Sequence, residues 1–203
     1  MSVLPLTPDL KQIRLNPPRS PGDLASRITH GFMLTYQVNR GLPVSEEHHE
    51  AIEQLAIAIQ MMADESPALP PVFLLSTLPT GAGKTTLMVE GVKAIVGDPR
   101  CARVGIVIFV NYLKQIPILV QEMGLRAEQY AVRTGKRNKE CNELGRTSLM
   151  TTEKDKRSAH RQAQVMFTTH AKVRAVAQHQ RCFGKSAFCP FNGVTRQVRI
   201  WDE

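Results

Sequence analysis

The stretch LPTGAGKTT, residues 78–86, constrains the fold of this chain more than any other part of the sequence. Glycines allow a loop to turn tightly and allow backbone N–H groups to approach an oxyanion. Such loops bind phosphate when a strand precedes them and a helix follows. The run VFLLST before the loop predicts a buried strand, and TTLMVEGVKAIVG after it predicts a helix that ends near Gly97. The stretch therefore predicts a phosphate-binding loop.

Each residue type in the loop has an expected role in binding a nucleotide. Lys84 is expected to reach the β- and γ-phosphates, and the Thr85 hydroxyl is expected to ligate Mg²⁺. Leu78 replaces the glycine that usually opens the motif, and a leucine at the end of a strand can pack into the core. The alternative is a glycine-rich turn with a solvent-facing lysine. The candidate nucleotide-binding residues are Pro79, Thr80, Gly81, Ala82, Gly83, Lys84, Thr85 and Thr86.

The rest of the chain alternates between apolar runs and helical patterns. Ser45 is expected to cap a helix that ends near Ala63, while residues 30–41 fit either a helix or a strand. This alternation predicts an α/β fold with a mostly parallel sheet and helices on both faces. The predicted strands cover 103–110, 128–134, 163–170 and the terminal RQVRIWDE; the other predicted helices are YLKQIPILVQEMG, delayed or bent by Pro117, and AKVRAVAQH.

Composition limits the class of protein and suggests its partners. A net charge of +8 favours a polyanionic partner such as nucleic acid, although a basic surface without a specific partner is the alternative. No apolar run is long enough for a membrane span and no signal peptide is evident, so we expect a cytoplasmic protein without a membrane partner. A cluster of basic residues after the predicted strand at 128–134 could bind phosphates along a nucleic-acid backbone or form a solvated insertion. It comprises Lys136, Arg137, Lys139, Arg146, Lys154, Lys156, Arg157 and Arg161.

The four cysteines are expected to remain free thiols in a reducing compartment. His179, Cys182 and Cys189 could begin a zinc site, with His170 or Cys141 as the fourth ligand. No Cys-x-x-Cys pair supports such a site, so free thiols are the preferred interpretation.

The segment PTGAGKT resembles motif I of superfamily 2 (DExx-box) helicases, a group that includes type III restriction enzyme-like ATPases. Three later segments follow in the order of that family. FVNYLKQI resembles motif Ia, VMFTTHAKV resembles the segment before motif II, and VRIWDE resembles the start of motif II. The resemblance covers residues 45–203. It implies a RecA-like P-loop NTPase domain at 71–203. The many prolines of residues 1–27, which the resemblance does not cover, predict a loosely ordered arm, and residues 28–70 are expected to form a helical segment that leads into the core.

The resemblance also implies roles for individual residues. Asp202 would hold Mg²⁺ together with Thr85, Glu203 would position the attacking water, and Lys84 would neutralise phosphate charge in ATP hydrolysis. The partner would be nucleic acid, with DNA preferred over RNA. The residues expected to contact its backbone are Thr168, Thr169 and His170.

The sequence stops at Glu203, before the second RecA-like domain that family helicases carry. We therefore expect a domain that is incomplete at its C-terminus, either a fragment of a longer helicase or a chain completed by another. On this expectation ATP hydrolysis is weak or absent without that second domain. The alternatives are a non-hydrolysing module that binds ATP or nucleic acid, and another P-loop ATPase such as a DNA-packaging motor.

Overall fold

The computed structural model describes residues 23–64, 78–133, 161–178 and 190–202. The chain divides into two compact units, residues 1–91 and 92–203. The boundary between them falls inside one helix. The predicted strand VFLLST and most of the basic cluster lie outside the described residues.

The first unit is helical where it is described. Helix α1 spans Leu24–Met33 and continues directly into a π-helical segment, Leu34–Asn39. Helix α2 spans Glu46–Asp64, and helix α3 spans Lys84–Val96 and crosses the unit boundary. Residues 30–41, which the sequence left open between helix and strand, are therefore helical up to Asn39. Helix α1 also begins inside the range predicted for the loosely ordered arm.

Helix α2 begins where its capping residues predict. The Ser45 hydroxyl accepts a hydrogen bond from the His48 backbone N–H at 3.2 Å, and the first turn carries Glu46 and Glu47. The hydrogen bond satisfies one backbone N–H at the start of the helix, and the two glutamates complement the positive end of the helix dipole. The apolar face of α2, with Ile52 and Ile59 buried, packs against the buried face of α1. The predicted helix over residues 45–63 is confirmed.

The second unit contains a parallel sheet and its connecting helices. Its first elements are β1 (Ile106–Val110), α4 (Gln115–Glu122) and β2 (Tyr130–Arg133). They are followed by β3 (Val165–Thr169) and α5 (His170–Ala177), then β4 (Pro190–Phe191), β5 (Val194–Thr195) and β6 (Val198–Trp201). The described residues thus confirm the strands predicted around residues 103–110, 128–134, 163–170 and at the terminus.

The four-stranded sheet has the order β2-β3-β1-β6, and every neighbouring pair is parallel. Strands β1 and β3 lie in the middle, and every residue of both is buried. β1 is therefore an uninterrupted apolar run, and β3 is apolar up to Phe167, before its two buried threonines. Because the strands are parallel, their carboxyl ends meet at one edge. The predicted α/β class with a parallel sheet is confirmed.

A short hairpin that the sequence analysis did not predict precedes the last strand. Strands β4 and β5 pair antiparallel across Asn192 and Gly193, which have φ angles of 45° and 87°. Two consecutive residues with positive φ form the tight turn that suits a two-residue hairpin, and Asn-Gly is its favoured sequence. Phe191 in this hairpin is buried against Gly105, where a side chain would meet the Phe191 ring within 2.9 Å.

Arg196 is fully buried and ties together the beginnings of the central strands. Its Nη1 donates to the carbonyl oxygens of Ile106 at 3.0 Å and Gln164 at 2.6 Å, and its Nη2 donates to that of Ala163 at 2.7 Å. The guanidinium also lies 5.3 Å from the centroid of the Phe191 ring. A buried charge is tolerated only when it is hydrogen-bonded, so Arg196 is a structural residue of this sheet.

Within the described residues, no helix has both the length and the apolar character that crossing a bilayer requires.

Helix α4 begins at Gln115, so Pro117 lies in its first turn, where a missing N–H removes no bond within the helix. The prediction that this helix is delayed is therefore confirmed.

Replacing Arg196 with Met keeps most of the side-chain volume but removes the donors to three carbonyl groups. We expect Arg196→Met to lower the free energy of unfolding by about 3 kcal/mol, because buried polar groups that lose their partners each cost on the order of 1–3 kcal/mol. Urea denaturation followed by the fluorescence of Trp201, the single tryptophan, measures this loss. Arg103→Met, at an exposed position, is the control. A loss no larger than that of the control would contradict the structural role.

Candidate functional site

The loop predicted to bind phosphate forms a tight turn directly before helix α3. Gly81 and Gly83 have φ angles of 85° and 86°, in the left-handed region that favours glycine. The Ala82 N–H donates to the Pro79 carbonyl at 3.2 Å, and the Leu87 N–H donates to the Gly83 carbonyl at 2.8 Å. The loop therefore leads straight into the first turn of α3, which begins at Lys84.

Two loop carbonyl groups are bound by side chains from the helical segment that precedes the loop. The Tyr36 hydroxyl donates to the Gly81 carbonyl at 2.9 Å, and His48 Nε2 lies 2.8 Å from the Ala82 carbonyl oxygen. Because a carbonyl oxygen can only accept, His48 must carry a proton on Nε2. The two carbonyls are thus oriented toward Tyr36 and His48, whose side chains bind them.

The side chains of Phe32, Tyr36 and His48 form an aromatic cluster beside the loop. The rings of Phe32 and Tyr36 stack with centroids 4.9 Å apart, and the His48 ring meets both edge-on at 5.9 and 5.5 Å. Gly83 lies directly against this cluster, since a Cβ placed there would come within 2.6 Å of a Phe32 ring atom and 3.0 Å of a Tyr36 ring atom. Gly83 is therefore required both for its φ angle and for its lack of a side chain.

The start of α3 carries positive charge that no neighbouring acid in its first turn balances. Lys84 is exposed and its Nζ donates to the Leu78 carbonyl at 2.9 Å, so the side chain folds back over the loop. Arg40 Nη1 donates to Thr86 Oγ1 at 3.1 Å. Helix α2 has two glutamates in its first turn, whereas α3 has none in its own. The positive end of the α3 dipole repels these two cations. An anionic ligand bound there would offset the repulsion, so this arrangement favours one.

The residue types at the loop fit a bound phosphate and its metal ion. The first turn of any helix presents N–H groups that no carbonyl of the same helix can accept, and Lys84 adds an ammonium group. Thr85 is exposed in that first turn, where its hydroxyl would hold a Mg²⁺ ion that accompanies the phosphates. Thr86 is buried, and its hydroxyl accepts the hydrogen bond from Arg40.

An open pocket of about 430 Å³ lies beside the loop. Two aromatic rings and one carboxylate border it. Hydrogen bonds from its own backbone N–H and from the Ser45 side chain lower the pKa of Glu47, so this carboxylate stays ionised at neutral pH. The pocket is lined by Tyr36, Glu47, His48, Leu78, Pro79, Gly81 and Ala82.

In the second unit, the residues predicted to contact nucleic acid lie at the carboxyl end of β3. Thr168 is fully buried and donates to the Arg133 carbonyl at 2.8 Å. The Thr169 hydroxyl caps α5 by accepting from the Lys172 N–H at 3.3 Å. His170 Nε2 lies 3.1 Å from the Phe109 carbonyl oxygen. Their polar groups are thus engaged inside the fold.

The WDE segment begins with the last residue of β6, Trp201, at the same edge of the sheet. Trp201 stacks on Phe109 with ring centroids 4.4 Å apart, and the His170 ring lies 4.8 Å from the Trp201 ring. The Asp202 N–H donates to the Phe109 carbonyl at 2.9 Å, which extends the pairing of β6 with β1 by one residue. Glu203 lies outside the described residues.

The zinc hypothesis stays a prediction, because His179, Cys182, Cys189 and Cys141 lie outside the described residues. Among the residues that are described, no group of three or more His, Cys, Asp and Glu side chains could hold a metal ion. Cys101 is a buried free thiol, as expected. Arg161 is the one described member of the basic cluster, and burial together with Arg161 lowers the pKa of Arg133.

Sequence reasoning missed three residues that contact the loop: Tyr36, Arg40 and His48. Each lies more than 30 positions before its partner in the loop, a separation that no local pattern reveals. The one available signal was the spacing of Phe32 and Tyr36, which are four residues apart and therefore share a face if the segment is helical.

Two alanine substitutions in the loop separate backbone strain from contact with the aromatic cluster. Gly81→Ala meets nothing within 4 Å and carries only the strain of positive φ, about 1–2 kcal/mol. Gly83→Ala carries the same strain and also collides with Phe32, for which overpacking adds about 1–3 kcal/mol. Urea denaturation followed by circular dichroism should therefore give Gly83→Ala the larger loss of stability. Equal losses would show that the cluster does not pack against Gly83.

Comparisons of this chain with protein-family models, with curated proteins and with solved structures gave no significant match. No family is therefore assigned from them.

Proposed function

We propose that the loop at residues 79–86 binds the phosphates of ATP together with Mg²⁺. The single observation that carries this proposal is the electrostatic arrangement at the start of α3. Two loop carbonyls are bound by Tyr36 and His48, and Lys84 and Arg40 lie at a helix N-terminus without an acid in its first turn. Two cations at the positive end of a helix are electrostatically unfavourable when no ligand is bound. The negative charge of a bound polyphosphate would offset this repulsion.

The pocket beside the loop supports a nucleoside as the other part of the ligand. The rings of Tyr36 and His48 border it, and aromatic surfaces of this kind can contact a base. The ionised carboxylate of Glu47 would repel phosphate but accept a hydrogen bond from an exocyclic amine. This division of charge favours a nucleotide with its phosphates at the start of α3 and its base in the pocket.

We further propose that the chain is the motor domain, or part of one, of a nucleic-acid-dependent ATPase of the helicase type. Support comes from the order of the motifs and from the carboxyl edge of the sheet. Tyr112, two residues after β1, and Trp201, the last residue of the adjacent strand β6, have exposed rings, and Lys114 Nζ lies 5.8 Å from the centroid of the Tyr112 ring. Exposed aromatic side chains near cations suit the bases and backbone of a single strand.

The resemblance also assigns Mg²⁺ to Asp202 and the attacking water to Glu203, and these roles stay predictions. Asp202 follows strand β6, the strand that resembles the start of motif II. Replacing it with Asn removes the charge and keeps the shape, so Asp202→Asn should reduce any ATP turnover if the assignment is right.

Lys84→Ala tests the binding of ATP. Removing the ammonium group should abolish measurable binding of Mg·ATP by isothermal titration calorimetry, because that group supplies charge at the phosphates. Lys93→Ala is the control, since Lys93 lies in the last turn of the same helix. Unchanged affinity in Lys84→Ala would contradict the proposed site.

Turnover distinguishes a motor domain from a binding module. A release of phosphate from ATP that rises when single-stranded DNA is added and falls steeply with salt would favour a motor domain, because backbone contacts depend on counterion release. Binding of ATP without turnover, with or without DNA, would instead favour a non-hydrolysing module. Turnover that DNA does not change would favour another class of P-loop ATPase.

A further inference from the structure

Arg40 lies at the end of the π-helical segment and reaches the first turn of α3. Its Nη1 donates to Thr86 Oγ1 at 3.1 Å, and the residue as a whole is exposed. A guanidinium presents five N–H donors in a planar fork, and Thr86 accepts from one of them. The fork therefore has donors left for a ligand that approaches the start of α3.

The position of Arg40 is set by the same segment that holds the loop. The Leu42 N–H donates to the Tyr36 carbonyl at 3.2 Å, a backbone hydrogen bond that spans Arg40. The chain turns at Gly41, which has a φ of 64°. Tyr36 in turn binds the Gly81 carbonyl. Because one short segment fixes both the loop and Arg40, the guanidinium is oriented before any ligand arrives.

The charges around Arg40 give it no acidic partner in the first turn of α3. Glu90, farther along that helix, accepts a hydrogen bond from Thr35, and Glu47 lines the pocket beside the loop. Lys84 adds a second cation at the same helix end. Two cations at a helix N-terminus together form a site for a ligand that carries more than one negative charge.

We propose that Arg40 is a second phosphate-binding residue of this site, supplied by the helical segment that precedes the loop, and that its ligand class is nucleoside di- and triphosphates. The proposal rests on the proposed function of the loop. Its guanidinium would donate to phosphate oxygens while Thr86 holds it in place, so it contributes to affinity through the phosphates and not through the nucleoside.

Calorimetric titration of Arg40→Gln with Mg·ATP, Mg·ADP and adenosine tests this role. Loss of a charge-assisted contact should weaken ATP and ADP binding about tenfold to a hundredfold and leave adenosine binding unchanged. Arg103→Gln removes the same charge from an exposed turn and should bind all three ligands like the unmodified chain. Arg40→Lys keeps the charge but not the fork and should give an intermediate loss.

Three outcomes would overturn the proposal. Equal ATP affinities of Arg40→Gln and Arg103→Gln, with Lys84→Ala defective, would reject the role of Arg40 while leaving the loop's function intact. An equal loss for adenosine and ATP, accompanied by a lower melting temperature without ligand in both Arg40→Gln and Arg40→Lys, would make Arg40 a structural residue. Failure of the unmodified chain to bind ATP would reject the loop's function together with the role of Arg40.

Discussion

The hydrogen bonds from Tyr36 and His48 to two consecutive carbonyl groups of the loop are the constraint on which the candidate site depends. A glycine-rich loop has many conformations available, and ordering it costs more entropy than ordering other residues. The two side chains reduce that freedom before a ligand binds. The helical segment ahead of the loop therefore belongs to the site and is more than a connection to the core.

Much of the fold could be predicted because its signals are local. Strand β1 and the first three residues of β3 are buried on both faces and therefore form uninterrupted apolar runs, and Ser45 with its two following glutamates marks the start of α2. The hairpin at Asn192–Gly193 has an equally local signal, the Asn-Gly pair that favours a two-residue turn. The burial of Arg196 had none, because composition places arginine on the surface and only the paired strands supply its acceptors.

The candidate site could be predicted only in part, for the same physical reason. The residues from Pro79 to Thr86 could be identified as candidates from the sequence, because a phosphate-binding loop requires glycines and a lysine at fixed spacing. The residues that orient this loop come from segments 34 to 46 positions earlier, and their contacts depend on how α1 and α2 pack. The predicted nucleic-acid residues Thr168 and Thr169 show the converse, since their hydroxyls stabilise the sheet edge and the start of α5.

The central claim is that the loop is held ready to receive phosphates at the start of α3. Titration of the ¹⁵N-labelled chain with Mg·ATP, followed by amide chemical shifts, tests this claim most directly. The account predicts that the amides of Gly81, Gly83 and Lys84 shift strongly and saturably, while those of the buried strands β1 and β3 change little. Saturable shifts confined to other parts of the chain, or none at millimolar ATP, would contradict it.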